Sequence, residues 1–288
     1  MSEHILENDA LRVMVADAGA ELASVYDKKR QAERIWTADP AVWNRHAPIL
    51  FPFVGKLMDG KYRFGDKAYE MKTQHGFARD MEFICVENTA DSISHRLMSN
   101  DWTREHYPFD FILTVTHRLE GKCLRISWTV ENTGSGEMLY SIGGHPGFLL
   151  PEGIRKEDCF ILFPEKDELH YINASKAGFA LSEQKALPLK NGRNAYQEDI
   201  PDTWIFEDGQ VQSVGIATPD GKPYVMLNCA QFPMLAVWAN PKGPFICLEP
   251  WFGRTDDEGF QGSIDQKKGI QRLNGGEKKE ISYMIEFM

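Results

Sequence analysis

The chain has 288 residues, of which 42% are hydrophobic and 26% charged, and its formal net charge is −10. That balance is ordinary for a soluble globular protein, and the length suffices to bury a core without disulfides or a structural metal. The negative charge argues against nucleic acid as a partner, because phosphate backbones are met by basic surface, and no apolar stretch is long enough to span a bilayer as a helix.

In chain order, the amino terminus shows no basic segment followed by an apolar one, so no secretory signal is expected. A first strand is expected at Leu11–Val15 and a short helical turn at Asp39–Trp43. Phe64-Gly65-Asp66-Lys67 reads as a hairpin turn, and strands are expected at Phe83–Val86 and Ser92–Leu97. Phe109, Phe111, Leu113 and Val115 then lie every second residue. Leu124-Arg125-Ile126-Ser127-Trp128-Thr129-Val130-Glu131 alternates without error, as a strand with one dry face requires. Glu120-Gly121-Lys122 between these runs predicts an antiparallel hairpin. The stretch 151–202 is the least patterned and is expected to hold long loops. Further strands are expected at Val211–Ala217, Val225–Asn228, Leu235–Trp238 and Phe245–Glu249, and the chain closes on alternating Ile281, Tyr283, Ile285 and Phe287. Many closely spaced strands with no helices between them predict an all-β fold, a sandwich or barrel of antiparallel sheets, with residues 1–288 as one domain.

The five cysteines, Cys85, Cys123, Cys159, Cys229 and Cys247, are scattered and form no Cys-x-x-Cys pair. Neither a disulfide framework nor a zinc site is expected, and reduced cysteines place the chain in the cytoplasm.

Three segments set chemically able residues in apolar or glycine-rich surroundings. Gln74-His75-Gly76-Phe77-Ala78-Arg79-Asp80, if extended, directs His75, Phe77 and Arg79 to one face, a proton-capable ring, a stacking surface and a cation together. Ser141-Ile142-Gly143-Gly144-His145-Pro146-Gly147-Phe148 flanks an imidazole with glycines that admit a backbone or ligand closely. In Phe245-Ile246-Cys247-Leu248-Glu249-Pro250-Trp251-Phe252-Gly253 a carboxylate ends an apolar strand, with Trp251 two residues on and on the same face. Taken singly, each residue also has a structural reading: a surface histidine, a solvated strand end, a core aromatic.

Read in order, these segments resemble the aldose 1-epimerase family, in particular its short bacterial mutarotase-like branch. The resemblance rests on Gly19-Ala20-Glu21-Leu22, Ala47-Pro48-Ile49-Leu50-Phe51-Pro52, Val54-Gly55-Lys56, Asp59-Gly60-Lys61-Tyr62 and His75-Gly76-Phe77-Ala78-Arg79. It continues through Tyr107-Pro108-Phe109, Gly143-Gly144-His145-Pro146 and Leu248-Glu249-Pro250-Trp251. The resemblance implies a large antiparallel β supersandwich with an open sugar cleft across one sheet. It implies catalysis by one histidine and one glutamate, His145 as general acid and Glu249 as general base, with His75 bonded to the substrate. Arg79, Lys56, Phe77 and Trp251 are further expected sugar contacts. Asp202 is the nearest match to an aspartate that grips sugar hydroxyls. Where better-known mutarotases have an Asn-Arg pair, this chain has Gly55-Lys56, and lysine lacks arginine's forked contact.

The reaction so implied is interconversion of α and β anomers of a hexose. A proton leaves the C1 hydroxyl, another reaches the ring oxygen, and histidine, titrating near neutrality, serves as donor at pH 7. No cofactor or metal is expected. The partner is a small-molecule sugar, met by a monomer or homodimer. The alternatives are a hexose-6-phosphate 1-epimerase and a non-catalytic sugar sensor. A glycoside hydrolase would want two flanking carboxylates, and only Glu249 has a site-like setting.

Overall fold

A computed structural model describes residues 2–196 and 200–288 of the chain. The expected alternation becomes strand pairing almost directly. Phe111–Glu120 pairs antiparallel with Cys123–Asn132, and Gly121 turns the chain between them. Lys61–Phe64 and Lys67–Glu70 make the second expected hairpin. The last strand, Lys278–Phe287, adds to the other side of Cys123–Asn132.

These strands belong to a nine-stranded sheet that runs from Arg193–Ala195 at one edge to Ile84–Asn88 at the other. A second, eight-stranded sheet is centred on Trp204–Phe206, Met234–Trp238 and Phe245–Phe252. A four-stranded amino-terminal sheet spans Glu3–Glu7 to Ala32–Glu33. The main core holds residues from Leu6 to Phe287 and takes side chains from all three sheets. Burying that apolar surface is the principal stabilising term, at roughly 25 cal/mol per Å² removed from water.

The two faces of the eight-stranded sheet differ, and this difference positions the site. In Phe245–Phe252, Ile246, Leu248 and Phe252 join the main core. Phe245, Cys247 and Trp251 join two small satellite clusters on the opposite face, and period-two alternation puts Glu249 there with them. The register agrees, since Ala236 lies opposite Glu249 and Met234 opposite Trp251.

Two expectations fail. The stretch 151–202 holds four strands, Phe160–Leu162, Glu168–Ala174, Ala180–Pro188 and Arg193–Ala195, between its loops. Its pattern is hidden because Leu169 and the four consecutive residues Tyr171 to Ala174 are all buried, against both faces of the sheet, which erases alternation. The helix Asp101–His106 was not expected either; Asn100 and Thr103 close a reciprocal capping box at its start. No helix among the described residues is long and apolar enough to cross a membrane.

Candidate active site

Glu249 and His145 lie 104 positions apart in sequence but meet across one strand pair. Gly143 pairs with Trp251 and Gly147 with Cys247, so the register in between sets His145 opposite Glu249. The Nε2 of His145 is 3.2 Å from Oε2 of Glu249. Gly143 is needed at this crossing because a Cβ there would lie 2.6 Å from the Trp251 ring. The close approach expected of that glycine is thus made by an indole. The backbone N–H of His145 donates to the Pro48 carbonyl, 3.1 Å away, which anchors the loop.

The pair is deeply buried, His145 at 8% exposure and Glu249 at 1%. Burial pushes the Glu249 carboxyl well above the ordinary carboxylate range, opposed only by the Trp251 indole. It pushes His145 down to about 3, with the Arg79 charge adding to the effect. Both shifts run against a histidine titrating near neutrality: burial favours the protonated carboxyl and the neutral imidazole. The ring planes of Trp43 and Trp238 flank His145 at 4.9 and 5.5 Å between centroids, and supply much of the apolar wall.

His75 approaches from the other side, 5.5 Å from His145 between ring centroids and nearly perpendicular. Its Nδ1 accepts the Gly55 N–H at 3.0 Å, so the ring proton must sit on Nε2, as a donor. Burial, with the nearby His145, Arg79 and Lys56, holds His75 well below the usual histidine range and therefore neutral.

The segment carrying His75 is not extended. His75 and Gly76 both have positive φ, and Ala78–Asp80 is a 3₁₀ turn. The tight turn is forced by contact: a Cβ on Gly76 would lie 2.3 Å from the Phe51 carbonyl oxygen. As a result Phe77 does not share a face with His75. It is buried at 3% exposure in the main core among Phe51, Trp102, Tyr107 and Phe111, and its expected role as a sugar contact is corrected.

The other expected residues surround a cleft of about 480 Å³, which Lys56, His75, Arg79, His145, Asp202, Glu249 and Trp251 all line. Arg79 has only a 3.8 Å contact to Asp80, and its Nε has no hydrogen-bond partner. Lys56 donates from Nζ to the Ala177 carbonyl at 2.8 Å. Asp202 is exposed at the rim. Trp43, Trp238, Lys176 and Asn240 also line the cleft, and sequence reasoning missed them. The signal for Trp238 was its even spacing from Ala236 and Met234, usable only once the glutamate strand is known to pair there. His145, Cys247 and Glu249 also bring three potential metal-ligand atoms within 4.8 Å of one another, a juxtaposition that linear spacing concealed.

An under-satisfied acid–base pair thus lies in an open cleft on one face of the eight-stranded sheet. The chain belongs to the aldose 1-epimerase family, whose family model matches residues 3–198. It is 31% identical to the chromosomal LacX protein of Lactococcus lactis subsp. lactis, with 98% of each chain covered. A galactose mutarotase related enzyme from Lactobacillus acidophilus superposes with a TM-score of 0.93 at 30% identity, covering 100% of this chain and 97% of that one. A galactose mutarotase-like protein from Lactobacillus casei gives 0.92 at 29% identity, with both chains fully covered.

Proposed function

We propose that the protein is an aldose 1-epimerase, an enzyme that interconverts the α and β anomers of a hexose through the ring-opened aldehyde. The observation that carries this reading is the 3.2 Å approach of His145 Nε2 to Glu249 Oε2 inside the cleft. The C1 hydroxyl and the ring oxygen are bonded to the same carbon, so an acid and a base that serve both must sit within a few ångströms of each other. Here they do.

The pair holds one proton in total. When a sugar docks, its hydroxyls donate to the Glu249 carboxylate and favour its charged form, and the proton crosses to His145. Glu249 then takes the C1 hydroxyl proton as His145 protonates the ring oxygen, and the C1–ring oxygen bond breaks. Rotation about C1–C2 presents the other carbonyl face, and the two transfers run in reverse. The proton count of the pair is the same at the start and the end. His75, with its proton on Nε2, and Arg79, with an unpartnered Nε, are placed to donate to sugar oxygens. The walls of Trp43, Trp238 and Trp251 bury the sugar's apolar faces.

A second reading is favoured by one observation: Lys56, Arg79 and Lys176 line the same cleft, enough cations to meet a sugar 6-phosphate. Anomer-exchange NMR on free and 6-phosphorylated aldoses distinguishes the two. The first reading expects catalysed exchange of free hexoses; exchange confined to 6-phosphates would replace it with the second. No catalysed exchange of any aldose would leave a sugar-binding protein without turnover.

A further inference from the structure

At the seam between the amino-terminal sheet and the nine-stranded sheet lies a second cluster of histidine, carboxylate and thiol, and none of its residues lines the cleft. His4 comes from the first strand, Glu3–Glu7, and Asp17 follows the second, Leu11–Ala16. Cys85 and His95 come from the adjacent strands Ile84–Asn88 and Ser92–Met98, where they are direct cross-strand partners. The ligand atoms of His4, Cys85 and His95 lie within 4.8 Å of one another.

Asp17 settles which ring atoms are free. Its Oδ1 is 2.8 Å from Nε2 of His4 and 3.0 Å from Nε2 of His95. Two ring nitrogens that meet one carboxylate oxygen are both its donors, so both rings carry a proton on Nε2. The Nδ1 of each ring is left with a lone pair. That of His4 has only a 3.4 Å contact with the Asn88 amide. That of His95 is buried with no partner at all, in a side chain that is 0% exposed. A carboxylate that takes the outer N–H of a metal-ligating histidine is the usual supporting arrangement around a bound ion.

We propose that His4, Cys85 and His95, oriented by Asp17, form a binding site for a borderline divalent transition-metal ion of the zinc type. Two imidazoles and a thiolate suit zinc and disfavour calcium or magnesium, which take oxygen donors. A tetrahedral zinc site with bonds of 2.0–2.3 Å separates its donors by about 3.3–3.7 Å. The cluster therefore needs to close by no more than about 1.5 Å on binding, and His4 and Cys85, both only partly buried, have the freedom to move. Binding releases one proton, from the Cys85 thiol, and water completes the coordination. Because two donors come from strands of the large sheet and the third from the amino-terminal sheet, the ion staples the two sheets together. The site does not depend on the epimerase reading.

The test is a titration of the full chain, stripped by chelator and kept reduced without added thiols, with cobalt(II) as the probe. One equivalent should bind with a thiolate-to-cobalt charge-transfer band, displaced by zinc, and zinc should raise the melting temperature by roughly 5 °C at concentrations far above Kd. Cys85→Ser should abolish the band, and His4→Asn should weaken binding at least tenfold; both positions are partly exposed, and circular dichroism checks that each variant folds. Cys247→Ser should leave the band unchanged. A wild type without a charge-transfer band overturns the proposal, as does a band that survives Cys85→Ser and vanishes in Cys247→Ser, which places the ion in the cleft.

Discussion

Asp17 and Glu249 are both carboxylates within 3.2 Å of imidazole nitrogens, yet their surroundings push them in opposite directions. Asp17 receives two ring N–H groups, stays partly in contact with water, and is held below the ordinary carboxylate range. Glu249 is 1% exposed, its Oε2 has no well-formed hydrogen bond, and burial raises it well above that range. In the first cluster the carboxylate is satisfied, and its two bonds hold each ring with Nε2 toward Asp17. The second is left short of partners, so a docking sugar meets a carboxyl and an imidazole whose proton is free to move. A shortage of hydrogen bonds at the carboxylate, and not the presence of histidine and carboxylate as such, separates the two clusters.

The largest expected effect breaks the under-satisfied pair. Glu249→Gln and His145→Asn should each lower the mutarotation rate by about 10²–10⁴, equivalent to about 3–5 kcal/mol of barrier. Polarimetry on freshly dissolved α-glucose or α-galactose, with the spontaneous rate subtracted, measures it. The melting temperature should hold or rise in Glu249→Gln, because the amide, unlike a buried carboxyl raised above its unfolded pKa, takes up no proton on folding.

Breaking the satisfied cluster should do the reverse. Asp17→Ala leaves two ring N–H groups without their acceptor, one of them on fully buried His95. It should cost up to about 3 kcal/mol of stability in urea unfolding and leave kcat/KM unchanged.

How far these two clusters were legible beforehand differs for a physical reason. His145 and Glu249 stand in Gly-Gly-His-Pro and Leu-Glu-Pro-Trp segments, whose resemblance to a family could be read from order alone. His4, Cys85 and His95 sit in strands whose alternation is ordinary and Asp17 just past another, and only sheet pairing brings them together. Phe77 misled because alternation was assumed where positive φ at His75 and Gly76 turns the chain and sends the ring to the core. The strands at Glu168–Ala174 and Ala180–Pro188 were missed for opposite reasons, the first being buried on both faces and the second mostly exposed at the sheet edge.

Buried neutral imidazoles also have a common cost that acid should expose. His117, fully enclosed beside His95, is pushed by burial down to about 3. The unfolded chain takes up a proton near pH 6.5 and the folded one does not, so stability present above that value is lost as pH falls toward 3. At pH 5 the loss from His117 alone is about 2 kcal/mol. His117→Phe should flatten the fall in melting temperature between pH 7 and pH 5; an unchanged slope would show that this ring protonates freely. The smallest expected effect concerns binding: Arg79→Ala should raise KM for the preferred sugar about tenfold with kcat little altered, since a guanidinium lining the cleft away from the reacting atoms binds ground and transition states alike.

The most direct test of the account is the pH profile of kcat/KM from pH 4 to pH 8, with the spontaneous rate subtracted at each point. A buried pair that works with one proton loses activity only when His145 gains a second, near 3, or when Glu249, raised well above the carboxylate range, gives up the last. The profile should therefore stay level through pH 6.5. A bell with an acid limb near about 4.3 and an alkaline limb near about 6.5 would show a carboxylate and a histidine of ordinary pKa titrating independently, and would contradict the one-proton pair.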